Sequence, residues 1–209
     1  MFDETGTYAK FDLNELQLLP VGWREEIEKV ALQQSYLVHL DGNSTTSREP
    51  ANSKGTDINI VDGIKIYSSL PWLFRLYANE LLTLANKHFP NKYKIDTELI
   101  SSININYLKG RGSRYERHVD SNPLTGILFV TSHHEPEGGE LIFELSRGVI
   151  KISPEPGIFI LFDARELPHT VTPLKKSAYR ISIPMNFFLE GEKRLRPSDL
   201  DGYIYNNPK

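Results

Sequence analysis

The chain has 209 residues, 39% of them hydrophobic and 24% charged, with a formal net charge of -3. That length holds one substantial domain around one core, and so small a charge exerts no global pull toward nucleic acid or an anionic membrane. There is no cysteine, which excludes a disulfide scaffold, a zinc–thiolate site and a thiol nucleophile.

No apolar run approaches the length of a bilayer span. The opening Met1-Phe2-Asp3-Glu4-Thr5 is acidic and polar, unlike a secretory signal. Cytoplasmic residence is therefore expected. The first predicted helix covers residues 22–34, where Trp23, Ile27, Val30, Ala31 and Gln34 fall at helical spacing and Glu25 and Glu26 suit the N-terminal dipole. Residues 41–57 are rich in Ser, Thr, Asn and Gly with little to bury, and read as either a surface loop or a lid over an active site. They lead into Ile58-Asn59-Ile60-Val61, a short strand-like segment. A stronger helix is predicted over 70–88, with Ser69 as its cap and Pro71 in its first turn. Leu73, Phe74, Tyr77, Leu81, Leu84 and Ala85 form its buried stripe, and Pro90 closes it.

From residue 99 the period changes to two: Ile103, Ile105 and Tyr107 alternate with Ser102, Asn104 and Asn106. Further strands are predicted at 124–131, 140–145, 149–152, 157–163, 169–172 and 178–188, punctuated by Gly138-Gly139, Ser153-Pro154 and Glu155-Pro156-Gly157. Many short strands with frequent turns argue for a mainly β fold, a sandwich or jelly-roll barrel, flanked by the N-terminal helices. The expected organisation is one domain, with residues 1–98 as helices and loop supporting a core at 99–188 and residues 189–209 as a charged, proline-containing tail, either in extended packing or partly disordered.

Within that core, His118 and Asp120 leave the same face of an extended segment. His169 must arrive from a strand folded back beside them. Two histidines and one carboxylate can hold a divalent iron on one side and leave the opposite positions open. On the last long strand Arg180 and Ser182 share a face, and an arginine on an otherwise apolar strand requires an anionic partner or a solvated face. Its planar fork suits a carboxylate; the plainer reading is a structural salt bridge.

Three motif groups now stand together: Tyr107-Leu-Lys-Gly-Arg-Gly-Ser-Arg-Tyr115-Glu-Arg-His118-Val-Asp120, Gly138-Gly139-Glu140-Leu141 with Pro168-His169-Thr-Val171-Thr-Pro173, and Tyr179-Arg180-Ile-Ser-Ile. In them residues 99–188 resemble the Fe(II)/2-oxoglutarate-dependent oxygenases, in particular the prolyl-hydroxylase-like branch with its hypoxia-sensing enzymes and bacterial relatives. The resemblance implies a double-stranded β-helix (a cupin-like jelly roll) with His118, Asp120 and His169 on iron. It implies that Arg180 receives the distal carboxylate of 2-oxoglutarate, that Tyr107 hydrogen-bonds this co-substrate, and that Ile103 and Leu141 line its pocket. One departure stands out. A second tyrosine common in this branch is replaced by Phe129, so either Thr131 supplies the missing hydroxyl or Ser182 and Arg180 act without it.

The implied chemistry consumes O2 and converts 2-oxoglutarate to succinate and CO2 while an aliphatic C–H is hydroxylated, with ascorbate as a supporting reductant. Halogenating relatives lack the carboxylate ligand, so Asp120 points to hydroxylation. The substrate is either a prolyl residue of a protein or peptide, or an amino-acid-like metabolite; nucleic acid and membrane partners are not expected, and the oligomeric state is open. A non-catalytic cupin-like binding or sensor protein is the competing class. Three lesser features read as surface: His133-His134 with Glu135 and Glu137 as a solvated loop rather than a second metal site, the basic Lys109, Arg111, Arg114 and Arg117 as a solvated loop or an attractor of anions, and Arg165 as a further possible substrate contact.

Overall fold

The computed structural model describes residues 7–40, 56–146, 148–175, 178–193 and Tyr205. Most of the 41–57 segment, and with it the expected lid, lies outside these residues. In chain order the first elements are β1 (Tyr8–Asp12), α1 (Trp23–Gln34), β2 (Tyr36–Leu40) and β3 (Thr56–Val61). A helical layer follows: α2 (Gly63–Ser69), α3 (Pro71–Leu76), a π-helical stretch (Tyr77–Leu81) and α4 (Leu82–His88). After β4 (Tyr93–Ile95) and a single turn α5 (Leu99–Ser102) come β5 (Ile105–Lys109), β6 (Tyr115–His118) and β7 (Leu124–Phe129). A short 3-10 turn (Glu135–Glu137) precedes β8 (Leu141–Leu145), β9 (Gly148–Ile152), β10 (Ile158–Asp163), β11 (His169–Val171) and β12 (Tyr179–Leu189).

Eight of these strands form a major sheet in the order β1-β10-β7-β12-β5-β3-β2, with β4 paired to β12. The other four form a minor sheet, β6-β11-β8-β9, and every pairing is antiparallel. This is the expected jelly-roll architecture. The period-two pattern gives the major sheet two apolar faces. On its outer face Ile105, Leu128, Ile181 and Ile183 pack against Ile27, Leu73, Tyr77 and Leu81 of the helices. On its inner face Ile58, Ile60, Ile127, Phe129, Ile160 and Phe162 meet Leu141, Phe143 and Val171 of the minor sheet. Phe143 and Phe162 meet across that gap at a tilt of 53°, with centroids 4.7 Å apart. Burying such a ring contributes about 2–3 kcal/mol.

Several local expectations change. Residues 99–102 form the turn α5, and regular alternation begins only at Ile103, which bridges to Met185. Ser69 does not cap the second helical run; it ends α2 and bonds Gln34, while Leu70 precedes Pro71 without a side-chain cap. Asp62 is the true cap of this region, accepting from the backbone N–H groups of Ile64 and Lys65. The segment before residue 99 is more than a support, because β1, β2, β3 and β4 all belong to the major sheet. These strands are short, and β2 follows α1 after one residue, so neither length nor a Gly/Pro break separates its apolar run from the helix.

Candidate active site

The cavity lies between the sheets, with a volume of about 120 Å³. Strand register explains how its key residues meet. His118, the last residue of β6, pairs directly with His169, the first of β11, and directly opposed residues project to one side. Their ring centroids are 4.2 Å apart. Asp120 lies just beyond β6, tied by its N–H to the Ala164 carbonyl. Its Oδ1 is 3.4 Å from His118 Nε2 and 3.8 Å from His169 Nε2. All three ligating atoms lie within 4.8 Å of one another, the sole such group of three or more among the described residues.

Hydrogen bonds fix the state of each ligand. His118 Nδ1 faces the Glu116 carbonyl at 2.7 Å and His169 Nδ1 faces the Leu167 carbonyl at 3.0 Å. A carbonyl only accepts, so each Nδ1 carries a proton, and in the neutral tautomer this fixes, Nε2 is the nitrogen that can donate to a metal. Burial of Asp120 opposes its ionisation, but His169, His118 and a hydrogen bond from Thr125 outweigh it and hold the carboxyl well below the usual range. Burial, with His118 beside it, pushes His169 down to about 4, so the ring is neutral near pH 7. An anionic oxygen and two imidazole Nε2 atoms, open toward a cavity, fit a divalent iron.

Two residues that support this triad carry no motif. Thr125 Oγ1 donates to Asp120 Oδ2, and Asn122 Nδ2 donates to Thr125 Oγ1 at 2.7 Å and to the Leu124 carbonyl at 2.8 Å. The usable signal was the alternation of Thr125 with Ile127 and Phe129, which puts Thr125 on the inner face.

Arg180 is buried at the other end of the cavity. Its Nε donates to the Gly139 carbonyl at 2.8 Å, one terminal nitrogen donates to Ser182 Oγ at 2.7 Å, and Phe129 lies 5.6 Å beneath the guanidinium. Burial lowers its pKa to about 10, leaving the charge intact at neutral pH. No carboxylate pairs with it among the described contacts, so the structural salt bridge is not formed there.

The structure thus brings His118, Asp120, His169, Leu141, Arg180 and Ser182 to one cavity. It does not bring Tyr107 or Ile103. Both point to the helix-packed face, where Tyr107 meets Tyr179 edge-on with centroids 5.9 Å apart and Ile103 joins the core around Met185. The reason is the two-residue period: Asn104, Asn106 and Leu108 face the cavity, so the odd-numbered neighbours face away. Thr131 is also committed elsewhere. Its hydroxyl accepts from Ile181 N–H at 3.0 Å, at an irregularity where Val130 and Thr131 both approach the Ile181 carbonyl. Phe129 packs behind Arg180, so Ser182 is the hydroxyl beside the guanidinium.

The lesser features resolve differently. His133 is buried, not solvated, and donates from Nε2 to the Tyr179 carbonyl at 3.0 Å; burial, and then Arg180, lowers its pKa. Arg114 and Arg117 are held by Glu116 and Glu144, and Arg165 lies 3.8 Å from Glu192. No helix among the described residues is long and apolar enough to cross a membrane.

Comparison with known proteins agrees with this geometry. Residues 103–188 match the model of the 2OG-Fe(II) oxygenase superfamily. A prolyl hydroxylase from Trichoplax adhaerens, solved with a hypoxia inducible factor oxygen degradation domain peptide fragment, shares the fold with a TM-score of 0.66. It is 20% identical, over 93% of this chain and 89% of that one. A 2OG-Fe(II) oxygenase family oxidoreductase from Burkholderia pseudomallei gives 0.63 at 15% identity, over 89% and 92%. The alpha-ketoglutarate-dependent epimerase SnoN of nogalamycin biosynthesis gives 0.61 at 12%, over 92% and 89%. The matched segment holds the whole triad and Arg180, and over residues 103–188 the chain is similar to the 2OG-Fe(II) oxygenase superfamily.

Proposed function

We propose that this protein is an Fe(II)- and 2-oxoglutarate-dependent dioxygenase that hydroxylates an aliphatic C–H group. The observation that carries the reading is one cavity holding a His–Asp–His triad with both Nε2 atoms turned from their carbonyl partners and, beyond it, a buried Arg180 without a carboxylate partner among the described residues. Bound iron would supply the activation of O2, which is the oxidant; one oxygen atom would enter succinate as 2-oxoglutarate loses CO2, and the other would enter the substrate C–H. His118, Asp120 and His169 hold the metal, and Thr125 with Asn122 orients the carboxylate. Arg180 and Ser182 receive the distal carboxylate of the co-substrate, and Leu141 closes the wall beside it. Ile58, Ile60 and Ile127 give the cavity an apolar stretch of wall, opposite in character to the Asn104 and Asn106 amides that also line it. Ascorbate serves as the reductant that keeps the iron ferrous.

The substrate is a prolyl residue of a peptide or an amino-acid-like metabolite. The peptide complex of the Trichoplax enzyme supports the first, and the epimerase shows that the fold alone does not choose. Anaerobic titration with Fe(II) and 2-oxoglutarate tests the metal site through the visible charge-transfer band of the chelate. Release of succinate across a panel of peptides and amino acids tests turnover. A chelate band without succinate release under any condition would favour a binding or sensor protein instead.

A further inference from the structure

The pairing of β7 with β12 stops short of Arg180, and a buried ring takes the place of the missing strand. The last pair is Ser182 with Phe129. Beyond it, the carbonyls of Ile181 and Tyr179 point to the side that β7 has left, since backbone direction repeats every two residues. Ile181 finds its partners in Val130 and Thr131. The Tyr179 carbonyl is met by a side chain instead: His133 Nε2 donates to it at 3.0 Å. His133 is itself anchored through its backbone N–H to the Pro154 carbonyl at 3.1 Å. It is 3% exposed, and its Nδ1 is enclosed with no hydrogen-bond partner among the described residues. An unsatisfied buried nitrogen is a cost that an apolar ring would avoid, so what the imidazole adds here is its Nε2–H.

His133 touches the support of Arg180 at both ends. The Tyr179 carbonyl and the Arg180 Cα belong to one planar peptide unit, so holding the first orients the second. At the other end, the His133 Cγ lies 3.4 Å from where a Gly139 Cβ would stand, and the Arg180 Cδ lies 3.3 Å from the same point. Gly139 is the residue whose carbonyl takes the Arg180 Nε–H. Burial, and then the Arg180 charge, oppose protonation of the ring, although the Tyr179 carbonyl and Glu137 pull the other way. We propose that His133 is a positioning residue for Arg180, a strut between the Tyr179 peptide and Gly139 that aims the guanidinium at the co-substrate carboxylate. The identity of that carboxylate rests on the oxygenase reading above; the strut rests on the contacts of His133.

The test compares the wild-type full chain with His133→Phe, which keeps a ring and removes the donor, and with His133→Gln, whose amide N–H can reach the same carbonyl. In ligand-free protein, His133→Phe should speed hydrogen exchange at the Arg180 Nε–H roughly tenfold, read by NMR, while the backbone amides of β10 keep their wild-type protection. In calorimetric titration of Zn(II)-loaded protein, the same variant should bind 2-oxoglutarate about five- to tenfold more weakly, the loss of one hydrogen bond. His133→Gln should recover most of both. Should His133→Phe fail to fold, His133→Asn, whose amide is too short to reach the Tyr179 carbonyl, is read in its place. Wild-type exchange at the Arg180 Nε–H in the variant without a donor, or exchange raised equally across β10, would overturn the proposal; the second is the behaviour of a residue that only supports the fold. Unchanged 2-oxoglutarate affinity in that variant would overturn it as well. Absence of 2-oxoglutarate binding by the wild type would overturn the oxygenase reading, while exchange at the Arg180 Nε–H still decides the strut.

Discussion

Arg180 and Gly139 hold each other in place. The arginine Nε donates to the Gly139 carbonyl at 2.8 Å, and Gly139 keeps a left-handed φ of 83° with the arginine Cδ 3.3 Å from where a Cβ would stand. This contact fixes the direction of the guanidinium before any ligand arrives, and the bond to Ser182 completes it. What remains of the fork faces the cavity, which is the preorganisation an anion site needs.

Arg180→Lys should therefore raise the 2-oxoglutarate concentration required by roughly 10–100-fold, because lysine keeps the charge but not the fork. The iron requirement should stay the same. Titrating succinate formation against 2-oxoglutarate and against Fe(II) separates the two, and an unchanged co-substrate requirement would mean the arginine is purely structural.

Removing any ligand of the triad should abolish turnover and leave the fold intact. His118→Ala, Asp120→Ala and His169→Ala each leave two ligands, too few to hold the ion and keep its open positions defined. Far-UV circular dichroism should match the wild type. Normal succinate formation by a purified variant would remove that residue from the metal site.

Thr125→Val keeps the shape of the side chain and removes the hydroxyl that bonds Asp120. Loss of such an orienting contact typically costs about 10–100-fold in metal affinity or activity. Competition of Fe(II) against a chelating dye gives the affinity. Thr125→Ser should recover most of it, an outcome that simple loss of packing would not produce.

The metal-free protein should lose stability on acidification between about pH 6.5 and pH 4. His169 titrates near 4 when folded and near 6.5 in its ordinary state. The unfolded chain therefore binds the proton first as pH falls. This contribution is fully present above pH 6.5 and is lost as pH drops through 4. Urea midpoints measured across that window in the presence of a chelator should fall with pH, and His169→Gln should flatten the slope.

Gly138→Ala should destabilise the fold by about 2–4 kcal/mol, since an L-residue is strained at positive φ and a new atom in a packed region must displace its neighbours. Here φ is 74° and a Cβ would lie 2.0 Å from the Pro173 carbonyl oxygen, a backbone atom with little freedom to move. Urea denaturation measures the loss.

The order of His118, Asp120, His169, Arg180 and Ser182, and the mainly β class, were legible in the linear chain. Short-range chemistry explains this: a one-residue spacing puts His118 and Asp120 on one side of an extended segment, and alternation puts Arg180 with Ser182. The same rule, carried one step further, would have turned Tyr107 away from the cavity and Asn104 and Asn106 into it, because Ile103 and Ile105 share the face of Tyr107. Pairing was different in kind. That His118 sits opposite His169, that Thr125 reaches Asp120, and that Tyr205 meets Asn104 across a separation of 101 residues depend on register and on how two sheets close over each other. So do the strands β1, β2 and β4, whose short runs gain their partners only from the assembled sheet. Local sequence set which side chains share a face; the closing of the two sheets decided which faces meet, because a strand is stabilised by neighbours that lie far from it along the chain.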